Sequence, residues 1–198
     1  MANSESSIHN IEKIGNLIIY LVDEIKKKYK RQLYLTKLLK LLYIIDETAV
    51  KETSVPITGL TYKAWKMGPV AYDVYKDLQY EKSDQLSFYV EAKKPKGDSN
   101  DWALINSVNK FDDSEFSDYE INLIDRVIDD YGAYDKDQLI ELLHEDGSLW
   151  KQVVDENHLQ KIFETENTSQ YKIDLSLLLA GDKHKLELFR NAQDSLKL

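Results

Sequence analysis

The segment from Leu33 to Val50 constrains the fold most, because it is apolar on more than one side. Leu35, Leu38, Leu39, Leu42, Ile45 and Ala49 recur at three- and four-residue steps, the stripe of an α-helix. Leu41, Tyr43 and Ile44 widen that stripe beyond a single face. A helix of this kind has to be enclosed, so it is expected at the centre of the molecule with other elements packed round it. Ahead of it, Ile8, Ile11, Ile14, Leu17 or Ile18, Leu21 or Val22 and Ile25 form one apolar stripe. They predict a helix over Ile8–Tyr29, preceded by a disordered tail, 1–7.

The stretch Thr58–Tyr75 has a different character. Leu60, Tyr62 and Ala64 alternate with Thr61, Lys63 and Trp65, which predicts a strand over Leu60–Trp65. Gly68-Pro69 then ends it, and Pro69 suits the first position of a helix running from Ala71 to Gln79. Tyr62, Trp65, Tyr72 and Tyr75 crowd this turn, as expected where a small sheet meets a helical body. Two more strands are expected, Leu86–Ala92 and Trp102–Val108. A turn-rich loop, Lys93–Asp101, separates them, and Leu60–Trp65 is a candidate third strand beside this pair.

The second half is punctuated by helix signals. Ser117-Asp118-Tyr119-Glu120 is a capping box, Ile121, Ile124, Val127, Ile128 and Tyr131 give the buried stripe, and Gly132 occupies the C-cap. Asp135-Lys136-Asp137-Gln138 opens another helix in the same way, carried by Leu139, Leu142 and Leu143 and ended by Gly147. Leu149 to about Asn157 is a short helix with Trp150 alongside. Gln170–Leu179 reads as a short strand turning into a helix, and Lys183–Leu196 as a terminal helix after Gly181-Asp182. The expected class is mainly α (α+β): a bundle-like helical body with a small antiparallel sheet of two or three strands. One domain spans 1–157, and 158–198 form a C-terminal extension packed on it.

Charge and motifs narrow the chemistry. The 198 residues carry 26 Lys and Arg against 35 Asp and Glu, a net charge of -9. Such a chain repels nucleic acid on average, and a nucleic-acid interface would need a local basic patch. Lys26, Lys27, Lys28, Lys30, Arg31, Lys37 and Lys40 are the one candidate run, while Asp112–Asp146 is strongly acidic. Solvated helix faces account for such runs more simply. There is no apolar run long enough to span a membrane, no basic leader before an apolar segment, and no cysteine, a pattern that suits a reducing cytoplasm. Phosphate-binding glycine loops, a nucleophile elbow and a zincin pair of histidines are all missing. His9, His144, His158 and His184 do not fall at metal-ligand spacing. No enzyme activity, catalytic residue, metal or cofactor is therefore expected. His144, at a helix end near Trp150, is expected to favour its charged form there and to pack on an aromatic ring.

Two ordered runs resemble a known family. Leu38-Leu39-Lys40-Leu41-Leu42-Tyr43-Ile44, followed by Leu60-Thr61-Tyr62-Lys63-Ala64-Trp65-Lys66-Met67-Gly68-Pro69-Val70 and Tyr75, resembles the Panacea domain. So does Phe116 to Glu120 with Leu123, Ile124, Val127, Tyr131 and Gly132, then Gln138, Leu139, Leu142, His144 and Trp150. The resemblance covers about Ile11 to Val154; Ser148-Leu149 departs from the small residue or proline expected before the family tryptophan.

The resemblance implies a cytoplasmic, phage- or bacteria-associated antitoxin that binds and neutralises a cognate protein toxin encoded nearby. The alternative within it is a proteolytic adaptor that hands its partner to a protease; a nucleic-acid-binding regulator is weaker still. The aromatic turn is where partner contacts are expected, through Tyr62, Trp65, Lys66 and Tyr72, with Tyr62 and Lys66 its exposed members. Gly68, Pro69, Val70, His144 and Trp150 are expected to be the structural part of the motif.

Overall fold

The fold is given by a computed structural model, which describes residues 8, 10–79, 84–94 and 103–196. The helical segments lie close to where periodicity places them. α1 is Ile11–Tyr29 and α2 is Leu35–Thr53, joined through a two-residue strand β1, Leu33–Tyr34. Leu38, Leu41, Leu42 and Ile45 of α2 are fully buried, and so are Lys40 and Asp46 on the same helix. Enclosure on every side follows from what surrounds α2. It packs against a β-hairpin, β2 (Tyr62–Trp65) and β3 (Gly68–Ala71), against the next helix, α3 (Tyr72–Gln79), and against two later ones, α4 (Asp118–Tyr131) and α5 (Lys136–Leu143).

The class is mainly α with small antiparallel sheets, but the described residues form two sheets and not one. In the first, β1 and β4 (Val90–Lys93) flank β5 (Leu104–Ser107), and α1 covers it. In the second, β2 is central, with β3 on one side and β6 (Lys172–Ile173) on the other. The strand around Tyr62–Trp65 therefore does not join the pair formed by β4 and β5. These two strands are also shorter than the alternation of Leu86–Ala92 and Trp102–Val108 suggested. Trp102 and much of the intervening loop, like residues 1–7 and the expected helix end near Glu81, lie outside the described residues.

One expectation is overturned at Pro69. It does not open a helix but sits within β3, opposite Ala64. β3 is an edge strand, and an edge tolerates proline because the missing N–H deprives no neighbouring strand of a donor. The helix begins at Tyr72, three residues later.

The helix starts of the second half are those written in the sequence. Ser117 accepts from the Glu120 amide while the Glu120 carboxylate accepts from the Ser117 amide, and Asp135 and Gln138 repeat the arrangement on α5. The C-cap Gly132 behaves differently. Its φ is -61°, an ordinary right-handed value, so no left-handed turn demands a glycine. A Cβ there would lie 2.4 Å from Ile128 O and 2.5 Å from the Tyr29 ring. Glycine is needed for the close approach of α1 to the end of α4.

After α6 (Leu149–Glu156) and a single turn, α7 (Leu159–Ile162), the chain returns to the hairpin. The Ala64 and Lys66 amides donate to Tyr171 O at 2.8 Å and Asn167 O at 3.1 Å, and β6 pairs Ile173 with Tyr62. A 3₁₀ turn, Leu175–Leu179, then lies on α2, and α8 (Lys183–Ser195) closes the chain with Phe189 buried.

Candidate functional site

The β2–β3 hairpin separates an inner from an outer surface by strand alternation. On the inner side Tyr62 and Ala64 are 1% and 0% exposed. The Tyr62 hydroxyl lies 2.8 Å from Asp46 Oδ2 and 3.0 Å from Leu42 O, and its ring meets Tyr43 edge-on at 5.1 Å. Asp46 is itself fully buried. It accepts from the Thr58 amide at 2.8 Å and from the Thr58 hydroxyl. Burial pushes its carboxyl above the usual range, against the pull of these hydrogen bonds. Tyr62 is thus a tie between sheet and central helix. The expectation that it faces a partner is corrected, because no surface of it is available.

Beneath the hairpin tip the widely spaced motif residues converge. Trp65 pairs with Gly68 across a two-residue loop, Lys66-Met67, and Gly68 has φ +100°, a conformation that favours glycine. Lys40, 1% exposed, reaches from α2 and donates from Nζ to Pro69 O at 2.8 Å. Burial lowers its pKa to about 7. His144, the C-cap of α5, stacks flat on Trp150 with ring centres 3.6 Å apart. Its Nε2 is buried without a hydrogen-bond partner. Burial, and then the charge of Lys40, lower His144 to about 4, so the ring is neutral near pH 7. The stacking on an aromatic is as expected, but the charged, helix-end histidine is not; desolvation outweighs the helix dipole here. Trp150 Nε1 donates to Trp65 O at 2.8 Å, and Val70 is 4% exposed on β3. A Cβ on Gly68 would lie 3.2 Å from Lys40 Nζ and 3.6 Å from His144 Nε2.

The outer side is built from Lys63 and Trp65 of β2 with Tyr72 and Tyr75 of α3. Trp65 meets Tyr75 edge-on at 4.7 Å and Tyr72 at 6.3 Å. Its indole N–H donates to Ser169 O at 3.1 Å. Lys63 Nζ lies 3.6 Å above the Tyr72 ring and donates to Gln170 Oε1 at 2.8 Å. Lys66 and Met67 are exposed at the tip, and Tyr171 is exposed beside it. Of the four expected contact residues, the structure groups Trp65, Lys66 and Tyr72 on or beside this half-buried aromatic face and withdraws Tyr62.

The basic run is taken up by the fold only in part: Lys28 meets the acidic run across the molecule, whereas Lys26, Lys27, Lys30 and Arg31 stay exposed around the end of α1. Lys28 pairs with Asp129 at 2.9 Å, and Lys13, earlier on α1, with Glu120 at 2.6 Å. Arg31 donates to Ala133 O, while Lys37 donates to Gly132 O and Tyr134 O, capping the end of α4. Burial and then the neighbouring Arg31 lower Lys37 to about 8. Among the described residues, no group of three or more His, Asp or Glu is placed to hold a metal ion, and no helix is long and apolar enough to cross a membrane.

The converging residues, Lys40, Trp65, Gly68, Pro69, His144 and Trp150, all fall inside one matched segment. The model of the family described as "Antitoxin SocA-like, Panacea domain" matches residues 38–151. The chain belongs to this family. The match begins two residues before Lys40 and ends one after Trp150, so it brackets the buried cluster closely. α1 and everything from β6 onward lie outside it, although β6 completes a sheet of the Panacea segment. No curated protein and no solved structure matches the chain. Sequence reasoning placed Lys40 in a basic patch and overlooked Asp46. The available signal was the breadth of apolar residues on α2: a helix enclosed on every side takes its polar residues inward too.

Proposed function

We propose that this Panacea protein is an antitoxin that acts in the cytoplasm by binding a protein toxin encoded nearby and covering the toxin's active surface. It works as a binding protein and not as an enzyme. The observation that favours this reading is the division of labour around β2. The inner, buried cluster of motif residues fixes the hairpin, and the outer face holds Trp65, Tyr72 and Tyr75 half-exposed beside Lys66 and Met67. Aromatic rings held rigidly at a surface with a flanking cation are the composition of a protein interface. Such an interface covers on the order of 800 Å² per partner, so the turn is its centre and not its whole extent.

The test is co-expression of the chain with the product of the adjacent gene. Growth inhibition by that product, rescue by this chain and a co-purifying complex are expected. Lys66→Glu and Tyr72→Ala should abolish rescue and leave the melting temperature of the free chain within about 2 °C. Absence of rescue and of a complex refutes the reading. A partner whose half-life falls when the chain is present would replace neutralisation by occlusion with delivery to a protease.

A further inference from the structure

A concave surface lies where α2, the end of α4, the end of α5, the start of α6 and the 3₁₀ turn meet. It is a cleft of about 320 Å³. Its floor is apolar: Ile44, Leu142, Leu143, Leu149 and Leu178 line it. Its rim is acidic, with Glu47 on α2 and Glu145 and Asp146 on the turn after α5. Among the described residues the one cation on the rim, Lys51, is engaged, with Nζ 3.1 Å from Glu47 Oε2. Glu145 and Asp146 are exposed and form no ion pair among the described residues.

The surrounding field agrees with that inventory. The Tyr131 phenol, which also lines the cleft, is held above its ordinary range by burial first and then by negative charge, with Asp130, Glu47 and Glu145 all contributing. α5 also ends here, and a helix C-terminus favours positive charge. The backbone leaves the cleft open at the turn: a Cβ on Gly147 would meet nothing within 4 Å.

We infer that this cleft is a docking point for a protein partner, and that it receives an arginine or lysine of that partner flanked by apolar side chains. A long cationic side chain suits both parts of the surface. Its aliphatic stem lies along the leucine floor while its charged head meets Glu145 and Asp146. The volume leaves room for an apolar neighbour beside it. The inference rests on the antitoxin reading for the identity of the partner as a toxin, but the cleft's preference for a cation is a property of this chain alone.

The test uses two probes on the full chain, followed by amide chemical shifts: a capped pentapeptide of alternating leucine and arginine, and its counterpart with glutamate in place of arginine. The arginine peptide is expected to shift the amides of Glu145, Gly147 and Leu178 in a saturable way. The glutamate peptide is expected to leave them unmoved. The double variant Glu145→Gln, Asp146→Asn, altered only at exposed positions, should bind the arginine peptide about three- to tenfold more weakly, the scale of two exposed charge contacts. No saturable shift, shifts spread evenly over the acidic surface, or equal binding by the variant would overturn the inference. If a toxin is rescued as above yet binds the variant unchanged, the cleft inference falls and the antitoxin reading stands. If the peptide binds the cleft but the adjacent gene product is not rescued, the reverse holds.

Discussion

Replacing Lys40 by methionine should make the protein more stable at neutral pH and flatten the way its stability depends on pH. Lys40 is 1% exposed, its ammonium donates to Pro69 O, and among the described residues no carboxylate pairs with it. Its pKa is lowered from 10.5 to about 7 by burial. The unfolded chain therefore holds a proton on this residue over a range where the folded chain releases it. Stability contributed through Lys40 thus rises as pH climbs from about 7 towards 10.5, and is lowest below 7. At about 1.36 kcal/mol per pH unit, that interval caps the cost of the buried charge at about 5 kcal/mol, and between pH 7 and 9 the wild type should gain about 2 kcal/mol. Lys37, lowered to about 8, acts in the same direction, so the quantity to read is the difference between variant and wild type. Methionine fills a similar volume but leaves Pro69 O without its donor, a loss of about 1–3 kcal/mol. Lys40→Met is therefore expected to be about 2 kcal/mol more stable at pH 7 and to lose that advantage by pH 9. Urea unfolding followed by tryptophan fluorescence at the two pH values measures both. A variant whose slope with pH equals that of the wild type would show that Lys40 carries its charge at no cost, and the account of the buried cluster would fail.

Two further perturbations test other parts of the fold. Gly68→Ala places a side chain at φ +100° and 3.2 Å from Lys40 Nζ, and should cost about 2 kcal/mol in the same unfolding assay; a neutral outcome would mean that the hairpin tip relaxes freely. Ser117→Ala removes one half of the capping box on α4 and should cost about 1 kcal/mol, read as a melting temperature lower by about 3 °C.

How far the sequence discloses the fold depends on how far apart the interacting residues lie. The capping boxes at Ser117 and Asp135 were legible because their partners are three residues away. The stripes of α1, α2 and α4 were legible because periodicity is local. Pro69 was misplaced because a proline after a glycine suits a helix start and an edge strand alike, and only the position of β3 in its sheet decides between them. Gly132 was found at the right place for a different reason, the closeness of Tyr29, about a hundred residues earlier. Lys28 looked like part of a free basic surface because its acidic partner, Asp129, is equally distant in sequence. At the candidate site, Trp65, Lys66 and Tyr72 could be proposed from aromatic crowding. That Tyr62 turns inward could not, since the group that claims it, Asp46, gives no sign of burial except the apolar residues around it.

The pairing of β2 with the segment around β6 sets an order of events during synthesis. Tyr62–Trp65 leave the ribosome long before Lys172–Ile173, and about a hundred residues must follow before the Ala64 and Lys66 amides meet Tyr171 O and Asn167 O. During that interval one edge of β2 is open, next to the half-buried aromatic face of Trp65, Tyr72 and Tyr75. A growing chain in that state presents a free strand edge, which other chains can pair with. The last forty residues thus act as a closing clasp, and a chain released without them would carry a sheet with one raw edge.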